Sequence, residues 1–157
     1  MTQPVAILMV CMGNICRSPT AEAVMRFKAK QQGIAVTLDS AGTISAHKGE
    51  KPDQRSMVAG QARGYDFSGI RSRKVKPSDF ASFDIILAAD HQNITDLLAI
   101  CPPEFTHKVS LLLSHTEQSM DEVPDPYYGG VKGFEKVLDL IEQGCEGVLK
   151  KISMKIT

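Results

Sequence analysis

Residues 5–10 are wholly apolar, and the run stops at Cys11. A short loop follows, made of Met12, Gly13, Asn14, Ile15 and Cys16, and Arg17, Ser18 and Pro19 then lead into a helical pattern. An apolar run this short reads as a buried strand. Strand, tight loop and helix, in that order, aim successive backbone N–H groups and a helix N-terminus at one small volume. Orphan amide donors and the positive end of the helix dipole suit that volume to an anion. A thiol at one end of the loop and a guanidinium at the other turn an anion site into a candidate reaction site.

Cys11 and Arg17 enclose five residues, few enough for the loop amides to wrap a tetrahedral oxyanion. Gly13 permits a positive φ at little cost, and Asn14 is the next most tolerant of it. Arg17 offers a planar fork that binds two oxygens at once. Cys11 would feel both the helix terminus and the Arg17 charge, and both favour thiolate, the nucleophilic form. Ser18 is a good N-cap and Pro19 a good first helical residue. A cysteine that closes a strand can also be no more than a small buried residue. Here the strand before it, the Gly-Asn pair and the Ser-Pro helix start all agree, and context is what confirms a motif.

The rest of the chain alternates helices and strands. Residues 19–32 are helical and Gly33 stops them, residues 34–38 read as a strand, and residues 39–49 read as loop. A second helix runs from Pro52 to Gly64. Residues 65–77 are irregular and basic through Arg71, Arg73, Lys74 and Lys76, either a solvated surface or a border of the anion site that attracts acidic molecules. Residues 83–89 are a buried strand, 91–100 a helix ended by Pro102-Pro103, and 108–113 another buried strand. Residues 114–130 form a long loop, and residues 133–152 a closing helix with Phe134, Val137, Leu138, Ile141, Cys145 and Leu149 on one stripe. This alternation predicts an α/β fold, a three-layer doubly wound parallel sheet with helices on both faces. Ligands of such sheets sit beyond the carboxyl ends of the strands. Cys11 lies there on the first strand, Ser40 after the second, Asp90 after the third and the Asp125 loop after the fourth.

At 157 residues, with 43% hydrophobic and 23% charged residues, the chain has the size and composition of one ordinary globular domain, 1–157. Its formal net charge is zero, which argues against a general nucleic-acid binder. The cysteines at 11, 16, 101 and 145 form neither a CxxC pair nor a zinc-ligand set with the histidines at 47, 91, 107 and 115. So few cysteines fit a reducing, cytoplasmic setting. No basic residue precedes the apolar start as a signal peptide would require, and no run is long enough to span a bilayer. Cys101 and Cys145 read as core.

Asp125 is the candidate general acid and base. It lies in the acidic stretch Asp121-Glu122-Val123-Pro124-Asp125, where like charges would raise a carboxyl pKa, and Pro124 and Pro126 stiffen its loop. Tyr127 and Tyr128 could line a slot for an aromatic ring.

Cys11-Met12-Gly13-Asn14-Ile15-Cys16-Arg17-Ser18 after an N-terminal strand resembles the low-molecular-weight protein tyrosine phosphatase family. Asp39-Ser40-Ala41-Gly42-Thr43 and Asp125-Pro126-Tyr127-Tyr128-Gly129-Gly130 continue the resemblance in the family's order over nearly the whole chain. The resemblance implies a four-stranded sheet in the order 2-1-3-4. It implies hydrolysis of phosphotyrosine in proteins, or of small aryl phosphates, through a phosphocysteine and without a metal or other cofactor. Cys11 would be the nucleophile and Asp125 the general acid and base, with Arg17 and the loop amides on the phosphate. Asn14 and Ser40 would brace the loop, Ser18 would stabilise the thiolate leaving group, and Asp90 would orient Arg17. Cys16 would form a protective disulfide with Cys11 under peroxide.

Two positions depart from the family's pattern. Ile70 stands where a loop-bracing histidine is common, and Ala46 where the site wall often carries an aromatic, with His47 adjacent. Both bear on efficiency and substrate preference more than on reaction type. A thioredoxin-coupled arsenate reductase would need further relay cysteines, and residues 81–100 have none. A phosphate or phosphotyrosine binding module would need neither Cys11 nor Asp125. A flavin carrier on the same fold would not need the Cys-x5-Arg loop.

Overall fold

β1 (Val5–Cys11) is the strand from which the architecture is built. A computed structural model describes residues 3–117, 120–126 and 130–156. After β1 come α1 (Arg17–Gln32), β2 (Val36–Gly42), α2 (Gln54–Ala62), α3 (Asp79–Ser82), β3 (Ile85–Ala88), α4 (His91–Leu98), β4 (Val109–Leu111) and α5 (Gly130–Ile156). Short 3-10 turns at Pro103–Lys108 and Leu112–His115 bracket β4. The strands form one parallel sheet in the order β2-β1-β3-β4, as the resemblance implies.

Alternation along β1 separates the two cores. Ile7, Met9 and Cys11 face the layer of α1 and α5 and pack with Val24, Leu138 and Ile141. Leu8 and Val10 face the other layer, with Phe80, Ile86 and Leu97. Ile7 and Leu8 are both 0% exposed, and burying an aliphatic side chain of that size contributes roughly 1.5–3 kcal/mol. α5 lies close over the Leu112–His115 turn because it carries glycine there. A Cβ on Gly147 would stand 2.0 Å from the His115 carbonyl oxygen, and one on Gly144 2.6 Å from Leu112. Cys145 is fully buried as expected, whereas Cys101 is only half-buried.

β2 differs from the expected residues 34–38. It starts later and runs to Gly42, so Asp39 and Ser40 are strand rather than loop. The cause is pairing: β1 offers a ladder partner at each position from Val5 opposite Val36 to Cys11 opposite Gly42. A paired backbone overrides the weak strand propensity of Asp, Ser and Gly. α1 also begins earlier than expected, with Cys16 rather than Ser18 at its N-cap. Pro19 still falls in the first turn, where its missing N–H costs nothing. No helix among the described residues is long and apolar enough to cross a membrane.

Candidate active site

The loop after β1 is held from outside through its carbonyls. The Cys11 carbonyl accepts from Thr43 N–H at 3.0 Å, Met12 from Ile44 at 3.1 Å and Ile15 from Asp53 at 2.7 Å. Gly13 accepts from the Ser72 hydroxyl at 3.0 Å, and Cys16 from the Thr20 hydroxyl at 2.6 Å. The peptides are trans, and in a trans peptide the N–H points opposite its own C=O. With the carbonyls drawn outward, the N–H groups of the following residues turn toward the loop's interior.

Asn14 takes the left-handed conformation, at φ 57°, and Gly13 does not. Gly13 matters for closeness instead: a Cβ there would stand 3.1 Å from the His47 ring. The Asn14 amide donates to Ser18 Oγ at 2.7 Å, and its oxygen accepts from Arg73 N–H at 3.0 Å. The expected bracing by Asn14 is therefore present. Ser40 has another role. Its hydroxyl donates to Glu22 at 2.7 Å and ties β2 to α1 rather than to the loop. Glu22 is buried, and desolvation raises its carboxyl pKa against the lowering effects of Ser40 and Arg26. Ile70 is core, 3% exposed. The bracing expected from a histidine there comes from Ser72 and Arg73, two and three residues on. Arg73 is itself neutralised by Asp79 at 2.9 Å and Asp39 at 3.1 Å, so this member of the basic run is structural.

Cys11 Sγ lies 3.0 Å from Ser18 Oγ and accepts from Ser18 N–H at 3.4 Å. Arg17 is buried. One end of its fork, Nη1, donates to Asp90 Oδ2 at 2.7 Å and to the Val123 carbonyl at 3.0 Å. Nη2 lies 3.9 Å from Asp125 Oδ2. Burial alone would lower the Arg17 pKa, but the charges of Cys11, Asp90 and Asp125 and the Asp90 hydrogen bond outweigh it and hold it above its usual value. Asp90 thus orients Arg17 while its other oxygen caps α4 through Asn93 N–H at 2.8 Å.

Asp125 is reached through Val123, whose N–H donates to the Ala89 carbonyl at 2.8 Å. The neighbouring acids are engaged elsewhere. Asp121 pairs with the His91 ring and Glu122 accepts from His91 N–H, each at 2.8 Å. The hydrogen bond raises the His91 pKa and lowers that of Asp121. Asp125 faces the Arg17 guanidinium at 3.9 Å.

These groups meet in one cavity of about 240 Å3. It is lined by Cys11, Met12, Gly13, Ile15, Cys16 and Arg17 of the loop, with Ile44, His47 and Asp125. His47 is held by Glu50 at 2.8 Å. It takes the wall position next to Ala46, which does not line the cavity. Cys16 is a buried thiol pushed up to about 12, first by burial and then by the charge of Asp53. Tyr127 and Tyr128, expected to form an aromatic slot, lie outside the described residues. The Val123 carbonyl, Ser72, Ile44 and His47 were not singled out from sequence as parts of the site. Only His47, beside the Ala46 wall position, carried a signal.

A thiol and a buried guanidinium thus stand on one short loop at the carboxyl edge of the parallel sheet of an α/β protein. Residues 6–157 match the family model described as low molecular weight phosphotyrosine protein phosphatase. The chain is 39% identical to the low molecular weight protein-tyrosine-phosphatase YfkJ of Bacillus subtilis, over 94% of this chain and 96% of that one. The crystal structure of YfkJ superposes with a TM-score of 0.94 over 99% of both chains, at 36% identity. A protein tyrosine phosphatase structure from Entamoeba histolytica gives a TM-score of 0.92 at 42% identity, covering 98% of this chain and 99% of that one. The chain belongs to the low molecular weight phosphotyrosine protein phosphatase family, a family of hydrolases.

Proposed function

We propose that this chain hydrolyses phosphotyrosine in proteins, and small aryl phosphate monoesters, through a phosphocysteine intermediate. The observation that carries this reading is the juxtaposition of Cys11 Sγ, the Arg17 fork and Asp125 around a loop in which the carbonyls of Cys11, Met12, Gly13 and Ile15 are bonded from outside. The Cys11 thiolate attacks phosphorus, the S–P bond forms, and the ester P–O bond breaks. Asp125 gives its proton to the leaving oxygen. Asp125, now a carboxylate, takes a proton from water as that water attacks phosphorus and the S–P bond breaks. Ser18, 3.0 Å from the sulfur, stabilises the departing thiolate. Loop amides and Arg17 hold the equatorial oxygens, where a loose phosphoryl transition state carries its charge. The reaction as written uses no metal, and it needs Cys11 reduced, which suits a cytoplasmic setting.

A covalent intermediate makes a specific demand on product ratios. With added methanol, hydrolysis of aryl phosphates in chelator yields methyl phosphate and inorganic phosphate in one ratio, whatever the leaving phenol. Phosphorus NMR measures that ratio. A ratio that varies with the leaving group, or turnover that chelator abolishes, sinks the phosphocysteine.

Cys16 serves in this reading as the redox guard. Peroxide converts the Cys11 thiol to sulfenic acid with release of water. The Cys16 thiol displaces a second water to form the disulfide. With its pKa near 12, Cys16 holds little thiolate near neutral pH, so the second step is slow. Peroxide inactivation of the native protein is expected to reverse with dithiothreitol, and that of Cys16→Ser to become irreversible. Equal recovery by both proteins removes Cys16 from this role.

A further inference from the structure

The rim of the site is polarised across the sheet. On the β2 side, Arg73 and Val75 hydrogen-bond to Gly42, the last residue of β2, each at 2.8 Å. Ser72 accepts from Gly49 N–H at 2.7 Å and donates to the Glu50 carbonyl at 2.9 Å. The two segments so joined carry Lys48, Lys51, Arg71 and Lys74, all exposed, against one exposed acid, Glu50, which is bonded to His47. Among the described residues none of these four has a carboxylate within 4.0 Å. The Ser72 hydroxyl, on Gly13, ties them to the anion loop. On the β3 side, Val123 is fixed to Ala89 and brings Asp121, Glu122 and Asp125. The order β2-β1-β3 puts Cys11, the last residue of β1, between the two.

A zero net charge thus conceals a cationic rim on one side of Cys11, while the other side carries the acids Glu122 and Asp125, with Asp121 paired to His91. Unpaired exposed cations beside an anion site raise the association rate of acidic partners, and like charges on the far side repel them. We propose that this polarised mouth orients acidic phosphopeptides. The carboxylates flanking the phosphorylated residue lie on the β2 side, against Lys48, Lys51 and Arg71, and a peptide that would place them on the β3 side is disfavoured. The inference rests on the reading above for the seat of the phosphorylated side chain.

The test uses two phosphotyrosine peptides of one composition, with glutamates only N-terminal or only C-terminal to the phosphotyrosine. Binding to Cys11→Ser is measured by calorimetry, and kcat/KM on the native protein, at low and high salt. One peptide is expected to be preferred about tenfold at low salt, with the preference collapsing as salt screens the rim. Lys48→Glu with Arg71→Glu removes the preference and leaves turnover of p-nitrophenyl phosphate unchanged. Equal use of both peptides, or a preference that survives the double charge reversal, overturns the proposal. So does charge-dependent binding to phosphatidylserine vesicles without peptide discrimination, which would assign the rim to a membrane. Oriented binding to Cys11→Ser without turnover by the native protein instead upholds the rim and defeats the catalytic reading.

Discussion

Cys11→Ser is expected to abolish aryl phosphate turnover, by on the order of 10⁴-fold or more, while the protein stays folded and still binds phosphate. The change touches one atom. Sγ lies in the buried loop against Ser18, and a hydroxyl there is smaller and can hydrogen-bond to the same partners. What it cannot do is ionise near neutral pH, or leave phosphorus readily once attached. In the proposed mechanism binding falls to other groups, the loop N–H groups and Arg17, which Asp90 and the Val123 carbonyl hold. Phosphate should therefore raise the thermal midpoint of Cys11→Ser as it is expected to raise that of the native chain. A pure binding module predicts the same thermal shift but no activity to lose. Residual turnover within about tenfold of native would remove Cys11 as nucleophile, and loss of the phosphate shift would place it in the anion cradle instead.

The central unit of this site was legible because strand, loop and helix are all local. Apolar run, Gly-Asn and Ser-Pro each act within a few residues of Cys11, and the anion cradle followed from them. The errors come where pairing over long separations decides. β2 extends through Asp39-Ser40-Gly42 because β1 is there to pair with it, and no property of those residues announces this. Asn14 rather than Gly13 takes the positive φ, because its side chain is then fixed by both Ser18 and Arg73 N–H. Ser18 is drawn into the loop by Asn14 and Cys11, so its hydroxyl is not available as a helix cap. The bracing at Ser72 comes from 59 positions away, within what reads as a solvated basic run. The Val123 carbonyl could not be read at all, since every residue has one. Ile70 is buried in the core, and the loop is held instead by Ser72 and by Arg73 N–H.

Asp125→Asn is expected to cut kcat by about 10²–10⁴ with a poor leaving group such as phenol, and by much less with an activated nitrophenol. Asn keeps the volume and the polarity but can neither give the first proton nor take the second. An alkoxide-like phenolate needs that proton as the P–O bond breaks, whereas a nitrophenolate leaves without it. The contrast between substrates therefore reports proton transfer, which a loss of folding would not mimic. The geometry makes the effect specific to Asp125. Asp121 and Glu122 are turned to His91 at the start of α4. Val123, 1% exposed, anchors the strand of chain between them and the acid. That anchor also couples the acid to the anion site, because the Val123 carbonyl sits on the same Nη1 that Asp90 holds. Asp125 lies 3.9 Å from Nη2, on the guanidinium that would hold the phosphate in the proposed mechanism, and KM should change far less than kcat. Neutralising Asp121 leaves both anchors of Val123 in place, so its leaving-group dependence should stay close to native. A steeper dependence in Asp121→Asn than in Asp125→Asn would assign the proton to the wrong carboxylate here and move the general acid to the outer end of the loop.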